Sequence, residues 1–252
     1  MKKVLNSNYL KIIALIAMTI DHVTWLIYPG YPTNFIPILL HIIGRLAFPI
    51  FAYCIAEGYY YTHDVNKYMK RLLILAIISH FSYMMASTTF QKYGWQSIIP
   101  FLTGTGMERF LNQTSVIWSY FIGLVILQIF ANDKYKKIQI PLVIILCIMA
   151  FPSDWSCIGS LVVVAIASNR NNPKRQIISS YLFIMIYALV YYFAVSKVYG
   201  FIQLCTIFAL PILYLYNGKK GDNKKVNNIM KWLFYIYYPL HLFIIGLIGL
   251  LK

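Results

Sequence analysis

The chain has 252 residues, of which 60% are hydrophobic and 12% are charged, and its mean hydropathy is +0.66. Soluble domains carry roughly 25% charged residues, so this composition excludes an ordinary soluble protein and indicates an integral membrane protein. The net charge of +15 would suggest nucleic-acid binding in a soluble chain. Because the basic residues lie in short segments between apolar runs, we attribute them to membrane orientation and lipid headgroups, and expect no nucleic-acid partner.

The apolar runs predict an all-α, polytopic bundle of about nine transmembrane helices in a single domain over 1–252. The first run follows Lys2 and Lys3, but Asp21 and His22 interrupt it and no A-x-A-like cleavage site follows, so we predict an uncleaved span. The predicted spans are 10–28, 35–56, 71–86, 115–131, 137–152, 154–169, 177–196, 200–217 and 230–251. The fifth and sixth are short, and a re-entrant hairpin over 137–169 is the alternative.

The basic residues predict the orientation of these spans, because Lys and Arg concentrate on the cytoplasmic side. One set of connecting segments holds Lys2, Lys3, Lys67, Lys70, Arg71, Lys134, Lys136, Lys137, Arg170, Lys174, Arg175, Lys219, Lys220, Lys224, Lys225 and Lys231. The opposite set holds Lys92, Arg109, Lys197 and Lys252. We therefore expect a multi-pass protein of the bacterial cytoplasmic membrane with a cytoplasmic N-terminus. The long outer segment at 87–114 is expected to cover part of an acceptor site.

Cysteine spacing predicts neither disulfides nor a metal site. The cysteines are scattered through apolar segments with no CxxC or Cys/His ligand pattern, so we interpret them as small packing residues. They are Cys54, Cys147, Cys157 and Cys205.

Ionisable residues lie inside several predicted spans, where an unpaired charge is unfavourable by at least about 3 kcal/mol. They are Asp21, His22, Arg45, His80 and His241. At 1.5 Å per residue, each lies roughly 14–17 Å from the inner end of its span. We therefore predict a buried cluster near the middle of the membrane.

Lys11 and His22 lie on one face of the first span, about three turns or roughly 16 Å apart. A cation at the cytoplasmic mouth with an imidazole deeper on the same stripe would suit an anionic ligand that enters from the cytosol. Two alternatives stay open. Lys11 can instead reach the lipid headgroups, and His22 can be a paired polar group that holds helices together.

Residues 10–22 and 41–80 resemble the TraX family of integral membrane proteins, which is named for the F-pilin acetylase. The matching residues are Lys11, Asp21, His22, Gly44, Arg45, Phe48, Pro49, Glu57, Gly58, Thr62, Tyr68, Arg71 and Leu72. The segments 154–159 and 238–241 also look like family landmarks. TraX proteins in turn look related to the acyltransferase-3 group, where a basic residue and a histidine at the spacing of Lys11 and His22 mark the catalytic helix. The wider group usually has arginine at the first position.

The resemblance implies acyl transfer from acetyl-CoA on the cytoplasmic side to an amine or hydroxyl of an exported protein, glycan or lipid, with the pilin N-terminus as one acceptor. Acyl transfer needs a base, and imidazole titrates near working pH. We predict His22 as the base or as a transient acyl carrier. His80 and His241 are further acid–base candidates.

Charged neighbours complete this predicted site. Asp21 lies about 100° from His22 around the helix, so we expect it to pair with Arg45 rather than to orient His22. Arg45 would stabilise the oxyanion or hold the donor. Lys11 is predicted to contact acetyl-CoA, and Glu57 and Arg71 to fix the region beneath the donor site.

Two readings from other functional classes fit the same residues. A transporter could use the buried cluster as a proton relay or substrate site, although the sequence shows no internal symmetry. A non-enzymatic assembly factor would use the cluster only for structure and the outer segment for docking.

Overall fold

The computed structural model describes residues 3–87 and 114–251, which fold mainly into helices. The α-helices are α1 (Ser7–Ile27), α2 (Phe35–Gly44), α3 (Ala47–Tyr61), α4 (Val65–Ala86), α5 (Val116–Phe130), α6 (Gln139–Ala150), α7 (Ser156–Ser168), α8 (Pro173–Ala194), α9 (Lys197–Leu204), α10 (Ala209–Tyr214) and α11 (Lys224–Leu250). Short 3-10 helices at Asp133–Ile138 and Cys205–Phe208 precede α6 and α10. Across the described ranges, β structure is limited to isolated bridges.

The helices are long and apolar enough for a membrane protein, which confirms the predicted all-α transmembrane class. Six segments satisfy the length and hydropathy of a span: Ser7–Ile27, Phe35–Tyr61, Val65–Ala86, Pro173–Ala194, Lys197–Tyr214 and Lys224–Leu250. A further pair, Val116–Phe130 and Asp133–Ala150, would count as a seventh but is bent by 108°. The predicted count of nine spans and the cytoplasmic N-terminus stay predictions, and the long outer segment lies outside the described residues.

Polar side chains define where several helices begin. The Asn6 side chain accepts hydrogen bonds from the backbone N–H groups of Asn8 and Tyr9 at the start of α1. Asp64 accepts from the backbone of Lys67 at the start of α4. These caps satisfy N–H groups that have no partner within the helix. The hydrogen bond from Lys67 lowers the pKa of Asp64.

The described helices fall into two compact units, and the prediction of a single domain stays a prediction. Unit 1 consists of Met1–Cys54 and Ile184–His241. Helices α1 and α2 pack together in this unit, and Gly44 allows close approach: an added Cβ would lie 2.6 Å from Cγ of Asp21. Any side chain at position 44 would therefore displace the Asp21 carboxylate.

Unit 2 consists of Ile55–Phe183 and Leu242–Lys252. Its centre is the packing of α5 against α7, where Ser119 and Ser153 share a hydrogen bond and Ser160 donates to the backbone oxygen of Ser119 at 2.7 Å. Trp155, immediately before α7, and Ser156, its first residue, have positive φ values of 65° and 49°. Such a conformation is unfavourable for residues with a Cβ and must be held by its surroundings.

We predict that Gly159→Val destabilises unit 2. An added Cβ at position 159 would lie 2.8 Å from Cβ of Ser119, so α5 and α7 must separate. The resulting overpacking should lower stability by about 1–3 kcal/mol, which exceeds the few tenths of a kcal/mol gained in helix propensity. The thermal unfolding midpoint in detergent measures this loss. Ser168→Val, at the exposed end of the same helix, is the control, and equal midpoints for both variants would contradict the packing described.

Candidate functional site

The predicted pairing of Asp21 with Arg45 is present in unit 1. Asp21 lies in α1 with only 8% of its surface exposed. Its Oδ2 accepts a hydrogen bond from Nη2 of Arg45 at 2.5 Å, and its Oδ1 accepts from Nδ1 of His41 at 2.8 Å. A carboxylate in this setting needs a compensating charge and donors for its oxygens, and Arg45 and His41 supply both.

Arg45 also reaches α9, which ties a third segment of unit 1 to the carboxylate. Its Nη1 donates to Oε1 of Gln203 at 3.0 Å, and Gln203 is 2% exposed. Both Nη atoms of the guanidinium therefore have partners within the unit. Arg45 immediately follows α2, so the side chain that supplies the positive charge comes from the break between α2 and α3.

His41 is a member of the site to which the sequence alone assigns no role. It is fully buried, and its ring centroid lies 4.5 Å from that of Trp25 and 5.4 Å from that of Tyr199. Its Nδ1 faces the carboxylate, so its second ring nitrogen, Nε2, is the one left for any further partner. That Nε2 has no hydrogen-bond partner among residues 3–87 and 114–251. The available signal was spacing, since His41 precedes Arg45 by one helical turn.

His22 and His241 form a second pair, joining α1 to α11. Nδ1 of His22 lies 2.8 Å from Nε2 of His241, and the rings are stacked with centroids 5.1 Å apart and planes at 15°. The ring of Tyr237 stacks on that of His241, with centroids 5.1 Å apart. The Tyr237 hydroxyl lies 2.7 Å from Oγ1 of Thr19. The imidazoles are thus held between helices by stacking and hydrogen bonds.

The hydrogen bonds assign the protons of this neutral pair. Nδ1 of His241 lies 2.9 Å from the backbone oxygen of Tyr237, which can only accept, so Nδ1 carries the proton. Nε2 of His241 is then an acceptor, and His22 must donate to it from Nδ1. The lone pair of His22 is therefore on Nε2. His241 is 6% exposed, whereas His22 is half-buried, so the ring with the available lone pair is the more accessible one.

The model of the TraX protein family matches residues 6–249. The chain belongs to the TraX family. It is also 25% identical over 241 residues to the probable fimbrial assembly protein FimC, serogroup H1, of Dichelobacter nodosus, an alignment that covers 92% of this chain and 91% of that protein. No solved structure matches the chain.

Other predicted site residues of this TraX protein lie outside these two networks. Lys11, on α1, is half-buried and makes no hydrogen bond or ion pair within the described part of the chain. Lys220 and Lys231 act on it electrostatically, so the three ammonium groups create a positive region in unit 1. An anionic ligand would offset their mutual repulsion.

His80, Glu57 and Arg71 belong to unit 2. His80 is half-buried with its ring 5.6 Å from that of Phe81, and Nε of Arg71 has no hydrogen-bond partner among the described residues. Oε1 of Glu57 accepts from Nε of Arg170 at 3.0 Å, and this hydrogen bond raises the pKa of Arg170. Glu57 therefore positions a basic side chain, and its predicted role beneath the donor site stays a prediction. Within the described ranges, no three His, Cys, Asp or Glu side chains could jointly hold a metal ion.

We predict that Asp21 and Arg45 are energetically coupled. Asp21→Asn leaves the guanidinium without its counter-charge, and Arg45→Gln leaves the carboxylate without its cation. Each change should lower stability by about 3–5 kcal/mol, whereas the double variant should lose much less than the sum. Thermal unfolding midpoints in detergent give the cycle. Asp133→Asn, at an exposed carboxylate, is the control, and strictly additive losses would contradict the coupling.

Proposed function

We propose that this TraX-family protein is an integral-membrane acyltransferase that moves an acetyl group from acetyl-CoA to an amine or hydroxyl of an exported or surface acceptor. The observation that supports it best is the hydrogen-bonded chain from the Tyr237 carbonyl through His241 to His22. A base whose ring and tautomer are fixed by a second group is the arrangement used to activate nucleophiles in acyl transfer.

In the proposed reaction, Nε2 of His22 takes the proton of the acceptor N–H or O–H. The acceptor atom attacks the thioester carbonyl, the carbon–sulfur bond breaks, and the CoA thiolate leaves. It receives the proton from the His22 imidazolium, so the products are the acetylated acceptor and CoA with a free thiol. His22 could instead carry the acetyl group on Nε2 between two such steps. In either route, His241 orients His22 and accepts the hydrogen bond from its Nδ1.

Arg45 would stabilise the negative charge that develops on the thioester oxygen. Its Nη atoms already donate hydrogen bonds to Asp21 and Gln203. The geometry therefore favours a role for Arg45 as a fixed positive charge over a role in bidentate hydrogen bonding to a phosphate. Asp21, His41 and Gln203 would then be positioning residues. Their contacts keep the guanidinium in place before the reaction, so it does not reorganise during the step.

The donor would enter along α1 from the end that holds Lys11. Lys11 and His22 lie on one face of this helix, roughly 16 Å apart. That distance suits a long thioester whose phosphates stay at a cytoplasmic mouth while the acyl end reaches His22. The orientation with a cytoplasmic N-terminus, the count of about nine spans and the kinship with acyltransferase-3 enzymes are parts of this proposal. The spacing of Lys11 and His22 supports the kinship.

The acceptor is proposed from the family and from one relative. A relative named as a fimbrial assembly protein favours a pilus subunit, and its N-terminal amine would be the acetylated group. An exported glycan or lipid amine would meet the same chemical requirement. The same name also supports a second candidate function, a non-enzymatic assembly factor, in which the buried networks only hold helices together.

The decisive experiment uses acetyl-CoA labelled in the acetyl group, the purified protein in lipid vesicles, and a synthetic peptide with a free N-terminal amine. We predict label transfer by the wild type and a fall of about 10²–10⁴-fold for His22→Ala, because the base is lost. His63→Ala removes an exposed histidine in the turn before α4 and is the matched control, with transfer expected at the wild-type rate.

Each other result points to a different function. Equal transfer by His22→Ala and the wild type would remove His22 from its role as base. No transfer to the peptide or to a membrane extract, together with normal folding, would favour the assembly factor. Solute uptake into the vesicles in place of transfer would favour the transporter.

A further inference from the structure

A polar cavity lies in unit 2, at the turn between α7 and α8. Its volume is about 260 Å³, and its walls include Tyr60, Asn169, Arg170, Asn172 and Arg175. Sites that enclose a whole small molecule usually have about 300–1,000 Å³. This cavity therefore suits one end of a larger ligand, and its guanidinium and amide groups favour an end with anionic oxygen atoms.

Arg170 is held in the cavity wall by side chains of α3. Its Nε donates to Oε1 of Glu57 at 3.0 Å, and its guanidinium carbon lies 5.0 Å from the ring centroid of Tyr60 and 4.9 Å from that of Tyr61. The Tyr61 side chain is a second hydrogen-bond partner. A guanidinium has five N–H donors, so these two hydrogen bonds leave donors for a ligand in the cavity.

Arg175 contributes the second cation of the cavity, from the first turn of α8. Its backbone N–H donates to Oδ1 of Asn172 at 3.1 Å, which fixes the start of the helix. Its side chain is exposed and lines the same cavity as Arg170. Two guanidinium groups in one wall suit a phosphate, because its oxygens accept paired N–H groups in a planar arrangement.

The length of α8 places this cavity at the depth of lipid headgroups. The helix satisfies the length and hydropathy of a membrane span, and its 22 residues extend about 33 Å. The hydrocarbon core of a bilayer is about 30 Å thick, so the first turn of α8, with Arg175, lies in the headgroup region. Tyr60 and Tyr61 fit this depth, because tyrosine is enriched at membrane–water interfaces.

The face of α8 that continues from Arg175 is apolar. Ile178 and Leu182 lie three and seven residues after Arg175, a spacing that places the three side chains on one face of the helix. Both apolar side chains are exposed. A phospholipid has the same order from the membrane surface inwards, with a phosphate first and acyl chains beneath it. One lipid can therefore place its phosphate in the cavity and its chains along this face.

We propose that the cavity binds the phosphate group of an anionic membrane lipid, whose acyl chains lie along Ile178 and Leu182. Arg170 and Arg175 supply the positive charge and the paired donors. Basic pockets between transmembrane helices bind anionic headgroups, whereas a zwitterionic lipid would bring an ammonium group close to the two guanidinium groups. The site lies within unit 2 and does not depend on the proposed acyl transfer.

The test adds phosphatidylglycerol or phosphatidylcholine with the same acyl chains to purified full-length protein in a neutral detergent. Native mass spectrometry measures the fraction of the protein that carries each lipid. We expect the wild type to bind phosphatidylglycerol more tightly than phosphatidylcholine. Arg175→Gln should weaken phosphatidylglycerol binding about tenfold, because charge-assisted hydrogen bonds to the phosphate are lost.

Lys174→Gln is the matched control, because it removes the same charge from the adjacent exposed position outside the cavity wall. General attraction of basic residues needs an anionic surface, which a neutral detergent lacks, so this variant should keep its affinity within about twofold. Equal effects of the two variants would overturn the site. Equal binding of both lipids by the wild type would overturn the preference for an anionic headgroup.

Inorganic phosphate separates a lipid site from a site for a free anion. It has no acyl chains to contact Ile178 and Leu182, so we expect it to compete with phosphatidylglycerol at least about tenfold more weakly than the lipid itself. Inorganic phosphate that competes equally well would overturn the lipid as the occupant. Both variants should unfold at the wild-type temperature, because both side chains are exposed, and a lower midpoint for Arg175→Gln would show that its guanidinium supports the fold instead of the ligand.

Discussion

The buried carboxylate of Asp21 imposes the main constraint on unit 1. A charge of this kind is tolerated among apolar helices only when an opposite charge and hydrogen-bond donors surround it. Arg45 and His41 meet this requirement directly, and Gln203 completes the environment of the guanidinium. Helices α1, α2 and α9 are therefore held together by the hydrogen bonds and the ion pair that Asp21 and Arg45 form. Gly44 belongs to the same constraint, because any larger residue would occupy the space of the carboxylate.

The second network, formed by His22 and His241, positions the imidazole of His22 on the same helix, α1. His22 directly follows Asp21 on α1, and the rotation of about 100° per residue sends the two side chains in different directions. Asp21 binds the α2 side of the unit, whereas His22 stacks on His241 of α11. The helix fixed by the carboxylate thus also fixes the position of His22. Asp21, in the charged network, and His22, in the neutral pair, are therefore neighbours on one helix. The charged network holds helices together, and the neutral pair is suited to proton transfer.

Sequence reasoning recovered the parts of the site that follow from the unfavourable burial of charge. The helical class follows from the length of the apolar runs, and the Asp21–Arg45 pair follows from the ionisable groups within them. The catalytic roles of His22 and His241 stay predictions. The stacking of His22 on His241 depends on how α11 is rotated about its axis, and hydropathy does not predict that rotation. His41 and Gln203 were missed because an isolated histidine and an uncharged amide in apolar segments also fit ordinary packing. The break between α5 and α6 was predicted, whereas its angle of 108° was not, since apolarity measures burial and not direction.

We infer that His241 fixes His22 as the tautomer with its lone pair on Nε2. Nitrogen NMR of the protein with ¹⁵N-labelled histidine in lipid bilayers measures this directly, with His22→Gln and His241→Gln variants to assign the signals. We expect a protonated, pyrrole-type Nδ1 and an unprotonated, pyridine-type Nε2 for His22, and loss of that single tautomer in His241→Gln. A proton on Nε2 of His22 in the wild-type protein would contradict this tautomer and the proposed role of His22, because the ring could then neither accept a proton nor carry an acyl group at that atom.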